Sequence, residues 1–262
     1  MTRQERIGTS EKIAYSLFVR HIGARLFAPR LRQVKTRPGY TLPVEIPPIL
    51  LGTSSFTAAG WEESFYPKGM RSPDYLSFYA TRFHTVEVDS PFFSRSVFRD
   101  RHEFLDRLVP FLKKLPAAYK FAIEIRNRAW LDAEFANLLR DHNIALVLRD
   151  RFWMPSPSEL NFDPITADWT YIRWLGDRKS IEEQTTTWNK TVIDRTQELH
   201  SWTDFCYQTR RRGVMIYAYA NNHYSGHAPA TIEQFRKLWQ AKGFPELTKP
   251  RRSHGQDLLF PV

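Results

Sequence analysis

From Ile49 onward the chain alternates between two hydrophobic patterns. Short runs rich in β-branched and aromatic residues recur: "ILLGTSS", "HTVEVDS", "KFAIEIR", "IALVLRD", "TYIRWLG" and "VMIYAYANN". These predict strands. Most are separated by stretches with helical spacing, such as "PDYLSFYATRF", "DRHEFLDRLVPFLKKL", "LDAEFANLLRDHN" and "TVIDRTQELHSWTDFCYQTRRRG". "PATIEQFRKLWQAKG" closes the series, and Gly213 stands where a helix C-cap belongs. Pro110 predicts a kink, or a fresh start, in the second helix.

Strand alternating with helix implies right-handed βαβ units and a parallel sheet. No strand is followed by a dinucleotide or phosphate-loop glycine motif. The expected fold is therefore α/β: a TIM-barrel-like parallel barrel with six recognisable strands. A closed barrel of this kind needs eight, so the sheet is expected to be incomplete or open.

Period-two alternation sorts each strand's side chains onto two faces. Thr85, Glu87 and Asp89 oppose Val86 and Val88. Ala122, Glu124 and Arg126 oppose Phe121, Ile123 and Ile125. Tyr171 and Arg173 oppose Ile172 and Trp174. The apolar face meets the helices, and the other points into the barrel. The catalytic candidates are Glu87, Asp89, Glu124, Arg126 and Arg173, near the C-terminal strand ends where barrels keep their chemistry. Arg149 or Asp150 joins them, Asp150 being taken as a ligand contact. Asn221, Asn222 and His223 leave the last strand at the same mouth. Thr53 and Ser54 follow Gly52 at the end of the first strand, where they either donate to an anion or cap the next turn. Trp61 lies just beyond.

Two readings of this set stay open. The carboxylates and arginines neutralise one another as a buried network, or they hold a ligand. That several strands end alike favours the ligand.

"GTSSFTAAGWEESFYP", "FHTVEVDS", "AIEIRNRAW", "YIRWLGD" and "YAYANNHYSGHAP", taken in order over about residues 49–240, resemble the family called domain of unknown function 72, the YecE-like proteins. The resemblance implies a TIM-barrel-like fold with a polar pocket at the C-terminal mouth. It implies no particular reaction. Its motif positions include Gly52, Thr53, Ser54, Trp61, Glu87, Asp89, Glu124, Arg126, Trp130, Arg173, Gly176, Asn221, Asn222, His223 and Gly226. Family members also carry a further strand–helix–strand stretch after the motif that ends here in Asp89-Ser90. This chain has no room for it, which makes it an internally shortened member with exposed sheet edges and a tendency to associate.

Composition narrows the classes. The chain has 262 residues with 42% apolar content, enough for one large core. The single cysteine, Cys206, sits in a helical pattern and excludes disulfides and thiolate zinc sites. No apolar run reaches membrane length, no signal peptide is visible, and the expected location is cytoplasmic.

The net charge of +10 belongs to the ends. Residues 1–45 carry nine Lys/Arg against three Asp/Glu, and residues 236–262 carry six against two. The organisation expected is a basic extension over 1–45, one domain over 46–245 and a basic tail over 246–262. Within the extension, "EKIAYSLFVRHIGARLF" predicts a short amphipathic helix. The tails are suited to weak nucleic-acid contact at most, since the body carries no net basic charge.

Three functions compete. The first is acid–base chemistry on an anionic small molecule, with Glu87 or Glu124 as base, Arg126 and Arg173 as anion clamps, and Asn221 and Asn222 orienting hydroxyls or a carbonyl. Its metal-assisted variant uses Glu87, Asp89, Glu124 and His223, though no cofactor is required. The second is a non-catalytic module that binds an anion or a nucleic-acid fragment, with Trp61, Trp130, Trp153 and Trp174 as an aromatic rim. The same tryptophans would equally pack helices onto the sheet. The third is a degenerate member with no retained site. The residues alone leave open whether the chain is an enzyme.

Overall fold

The computed structural model describes residues 18–22 (backbone), 47–87, 98, 100–115 and 119–247. The rest of the N-terminal extension, Asp89 and the tail beyond residue 247 lie outside them.

The six expected strands are present as β2 (Ile49–Thr53), β3 (Thr85–Val86), β4 (Lys120–Glu124), β5 (Ala145–Asp150), β6 (Trp169–Trp174) and β7 (Met215–Ala220). They pair in parallel and curl into an open half-barrel. A further strand, β1 (Phe18–Ile22), completes the order β1-β4-β5-β6-β7-β2-β3. The first and last strands of the body, β2 and β7, pair as they would in a closed barrel. β3 and β4 do not, so the opening lies between them.

β1 corrects one expectation. Residues 18–22 form a strand, not part of a helix. They run antiparallel to β4, from Phe18 opposite Glu124 to Ile22 opposite Lys120. The reason is the open edge. With no parallel neighbour on this side among the described residues, β4 would present unpaired N–H and C=O groups. "FVRHI", with aromatic and β-branched residues, suits the pleated surface that satisfies them.

The helices are α1 (Tyr75–Arg82), α2 (Arg101–Leu112), α3 (Ala133–Asp141), α4 (Arg178–Glu182), α5 (Thr196–Arg211), α6 (Asn222–Ser225) and α7 (Ala228–Ala241). Aspartate side chains cap three of them, Asp177 at the start of α4 accepting from the Ser180 N–H at 3.2 Å. Asp100 accepts from the Glu103 N–H at 2.9 Å and Asp132 from the Phe135 N–H at 2.8 Å. α2 runs through Pro110 to Leu112 without a new segment. It ends so soon afterwards that Pro110 interrupts only its last turn. Among the described residues no helix is long and apolar enough to cross a membrane.

Two apolar layers flank the sheet. Outside, Ile49, Leu51, Ile123, Leu146, Leu148, Ile172, Trp174 and Ile216 meet the helices. Trp174 packs on Trp202 of α5 and Phe235 of α7. Cys206 is buried in the same layer, and burial pushes its thiol well up, away from the nucleophilic thiolate. Inside, the concave face is filled by Ala122, Ala145, Val147, Trp169, Tyr171, Tyr217 and Tyr219.

Register stacks this inner face in tiers. Trp169 neighbours Met215. Next, Val147 neighbours Tyr171, and Tyr171 neighbours Tyr217. Above them, Arg149 neighbours Arg173, and Arg173 neighbours Tyr219. Toward the C-terminal strand ends the lining thus changes from aromatic to charged. Gly52 belongs to this last tier, opposite Tyr219 and Thr85. A Cβ at Gly52 would lie 2.0 Å from the Thr85 carbonyl oxygen, so only glycine lets β2 and β3 approach this closely.

Candidate anion site at the C-terminal mouth

The charged tier is one connected network. Both oxygens of Glu124, at the end of β4, are engaged. Oε1 accepts from Arg149 Nη1 at 2.7 Å and from Arg126 Nε at 3.0 Å, and Oε2 accepts from Arg173 Nη1. Arg173 bridges onward to Glu87, which it meets at 3.0 Å from Nε and 3.1 Å from Nη2. Tyr171 donates its hydroxyl to Glu87 at 2.6 Å. Period-two alternation explains the gathering, because Glu87, Glu124, Arg149, Tyr171 and Arg173 all lie on inward positions.

Glu87, Glu124, Arg149 and Arg173 are all buried. Arg126 is the wet edge, its side chain 36% exposed. Burial alone would raise the Glu124 carboxyl, but Arg173, Arg149 and Arg126 outweigh it and hold the group at about 2. Burial would likewise lower Arg173, but Glu87 and Glu124 lift it well above the ordinary guanidinium value. Arg149 goes the other way: its desolvation prevails over its one carboxylate partner. Among the described residues, two carboxylates thus face three guanidiniums. Nε and Nη2 of Arg149 are buried and have no hydrogen-bond partner among the described residues.

Four expected site residues stand together here: Glu87, Glu124, Arg126 and Arg173. Other expectations separate from them. Asp150 alternates with Arg149 and therefore turns to the helix side. There its carboxylate accepts from Trp202 Nε1 at 2.6 Å and Tyr224 Oη at 2.8 Å. Thr53 also points outward, with Oγ1 2.8 Å from Tyr79 Oη and donating to the Ser55 carbonyl. Ser54 is the inward neighbour, and its buried Oγ has no hydrogen-bond partner among the described residues.

The amides after β7 tie down their own loop. Asn221 Oδ1 accepts from the His223 N–H at 2.9 Å and meets His223 Nδ1 at 2.7 Å. Asn222 Oδ1 accepts from the Ala228 N–H at 3.0 Å, opening α7, and from Trp61 Nε1 at 3.3 Å. His223 Nε2 lies 3.1 Å from Glu182. Trp61 and Trp130 are buried among aromatics, Trp130 stacked on Phe104. Gly176 belongs to the same packing: its φ is 63° and a Cβ would meet the His223 carbonyl oxygen at 2.3 Å.

Arg149 is the network member that alternation alone left undecided against Asp150. The signal for it is register, since β5 pairs with β6 and sets Arg149 beside Arg173. Tyr171 was legible as inward, but its bond to Glu87 crosses 84 residues of sequence.

Comparison with known proteins agrees with this architecture. No curated protein matches the chain. Among solved structures, a DUF72 family protein from Thermotoga maritima aligns with a TM-score of 0.52 and 19% identity, over 73% of this chain and 99% of its own. One from Enterococcus faecalis aligns with a TM-score of 0.51 and 14% identity, over 79% of this chain and 100% of its own. At these identities the likeness concerns the fold. The family model described as protein of unknown function DUF72 matches residues 50–96 and 95–254. The two matched segments meet shortly after Asp89-Ser90, where a further stretch is expected to be missing. With most of its length matched in this way, the chain belongs to the DUF72 family.

Proposed function

We propose that the mouth of the half-barrel binds a small anionic molecule through Arg149 and Arg126, with Glu124 and Arg173 as the frame that orients them. The observation that carries this reading is the pair of buried, unpartnered Arg149 nitrogens. Each orphaned donor costs on the order of 1–3 kcal/mol, more when charged. A network serving stability alone would be expected to satisfy them. A phosphate or carboxylate would accept from both at once, matching the planar fork of arginine. Arg126, the partly exposed member, is where the network meets solvent.

Binding is favoured over acid–base catalysis by Glu124. A carboxylate held at about 2 by three guanidiniums is a poor base near neutrality. The donor set also suits an anion better than a metal ion. Glu124 has both oxygens committed to arginines, and His223 is committed to Asn221 and Glu182.

The test is a thermal melt of the full chain with inorganic phosphate, pyrophosphate, sulfate and simple di- and tricarboxylates at constant ionic strength. Anything that binds only the folded state raises the midpoint. One of these anions is expected to do so in the parent chain and to lose the effect in Arg126→Ala. The midpoint of that variant without ligand should stay close to the parent, because Arg126 is partly exposed. If no anion shifts the parent, the reading fails.

A further inference from the structure

Immediately after β5, the chain carries Arg151, Phe152 and Trp153 onto the same end of the sheet as Arg149. Phe152 is 78% exposed and Trp153 39% exposed. Single exposed aromatics are ordinary, but these two form a unit. Their rings meet edge to face, with centroids 4.7 Å apart. The Arg151 guanidinium lies over the Trp153 ring, Cζ 4.2 Å from the centroid. Arg151 is anchored in turn by donating Nε to the Gly176 carbonyl at 3.2 Å. The Met154 N–H closes the turn on the Arg151 carbonyl at 2.9 Å. An exposed aromatic pair is thus held beside the charged mouth by a guanidinium.

Arg151 also belongs electrically to the network. Burial lowers its pKa first, Arg149 and Arg126 lower it further, and Glu124 and Asp177 act the other way. Arg126 and Arg149 share the Glu124 carboxylate as their counter-charge, and Arg151, two residues beyond Arg149, adds a third cation to this end of the sheet, which favours a further anion. The apolar rings next to it have no such use for an anion. They offer a stacking surface.

We infer that the molecule bound at the mouth carries a flat aromatic ring beside its anionic group, in the manner of a nucleotide, with the ring stacked on the more exposed Phe152 and meeting Trp153 at its edge, and the anion on the arginines. This deepens the anion-binding reading and rests on it. Base-on-aromatic stacking is strong enough to be read directly, since one stacked base changes affinity by roughly ten-fold or more. It also tolerates different bases, because each has a π-face.

Calorimetric titration of the full chain with inorganic phosphate, ribose 5-phosphate and the four common nucleoside 5′-monophosphates separates the two ideas. At least one nucleotide is expected to bind ten-fold or more tightly than ribose 5-phosphate. In the double variant Phe152→Ala/Trp153→Ala, whose side chains are exposed, that advantage should vanish while ribose 5-phosphate binding persists. Equal binding of nucleotide and ribose phosphate by the parent overturns the ring inference and leaves the anion site standing. So does an advantage that survives in the double variant. Binding of none of these probes overturns both.

Discussion

Glu124 shows how a single buried carboxylate sets the character of the mouth. Removing its charge by Glu124→Gln leaves Arg149 and Arg173 buried beside a neutral amide. Loss of one partner from a buried ion pair costs about 3–5 kcal/mol, and chemical denaturation is expected to show a loss of that order. A variant as stable as the parent would mean the network is not under charge tension. The pH dependence follows from the same residue. Its folded value, about 2, lies below the ordinary 4.5. The stability it contributes is therefore fully present above about 4.5 and lost as pH falls toward 2. Buried His227 produces a separate window. Desolvation lowers its imidazole from 6.5 to about 4, so the unfolded chain takes up the proton first. Stability from this source falls between 6.5 and about 4. Denaturation midpoints across pH should show both segments, with His227→Leu flattening the upper one and Glu124→Gln the lower one. If each variant keeps the parent's slope in its own window, the assignment is wrong.

At the scale of the elements, the β2–β3 pair depends on a close approach at Gly52. Gly52→Ala would drive a methyl group against the Thr85 carbonyl, a backbone atom that has no rotamer to change. Overpacking typically costs 1–3 kcal/mol, and a loss of about 3 kcal/mol or more is expected here, measured by urea denaturation. A harmless substitution would show that β3 is not held at this distance. β3 also sets Glu87, through the bond from the Glu87 N–H to the Thr53 carbonyl at 3.0 Å. The same variant should therefore weaken any ligand seen by the parent. The loop after β7 plays a different part: its amides hold α6 and α7 in place, and its polarity comes from capping.

The whole molecule has an opening that a closed barrel would lack, and β1 covers one of its two edges. The five-residue register with β4 satisfies backbone groups that would otherwise template association. A chain lacking residues 1–22 is expected to form larger species than the full chain does, read by size-exclusion chromatography with light scattering. An unchanged mass would show that the β4 edge is protected in another way. The restored edge also matters for the site, because Glu124 is the last residue of β4 and opposes Phe18.

How much of this was legible in the sequence can be traced residue by residue. The strand runs and their alternation determined the parallel sheet. They also determined the inward position of Glu87, Glu124, Arg126 and Arg173, because period two fixes a side chain's face without reference to any partner. The same rule left the phase at the end of β5 open between Arg149 and Asp150. Only pairing with β6 decided it, placing Arg149 in the network and Asp150 against Trp202 and Tyr224. Asn221, Asn222 and His223 were legible as polar, but not as loop ties, since capping bonds depend on where α6 and α7 begin. The segment "FVRHI" had helical spacing on paper and became a strand, because an unpaired edge in the folded sheet offered more than a solvated helix. Local pattern determined the faces. Partners brought together from distant parts of the chain decided which of those residues meet and which are left with a bond to give.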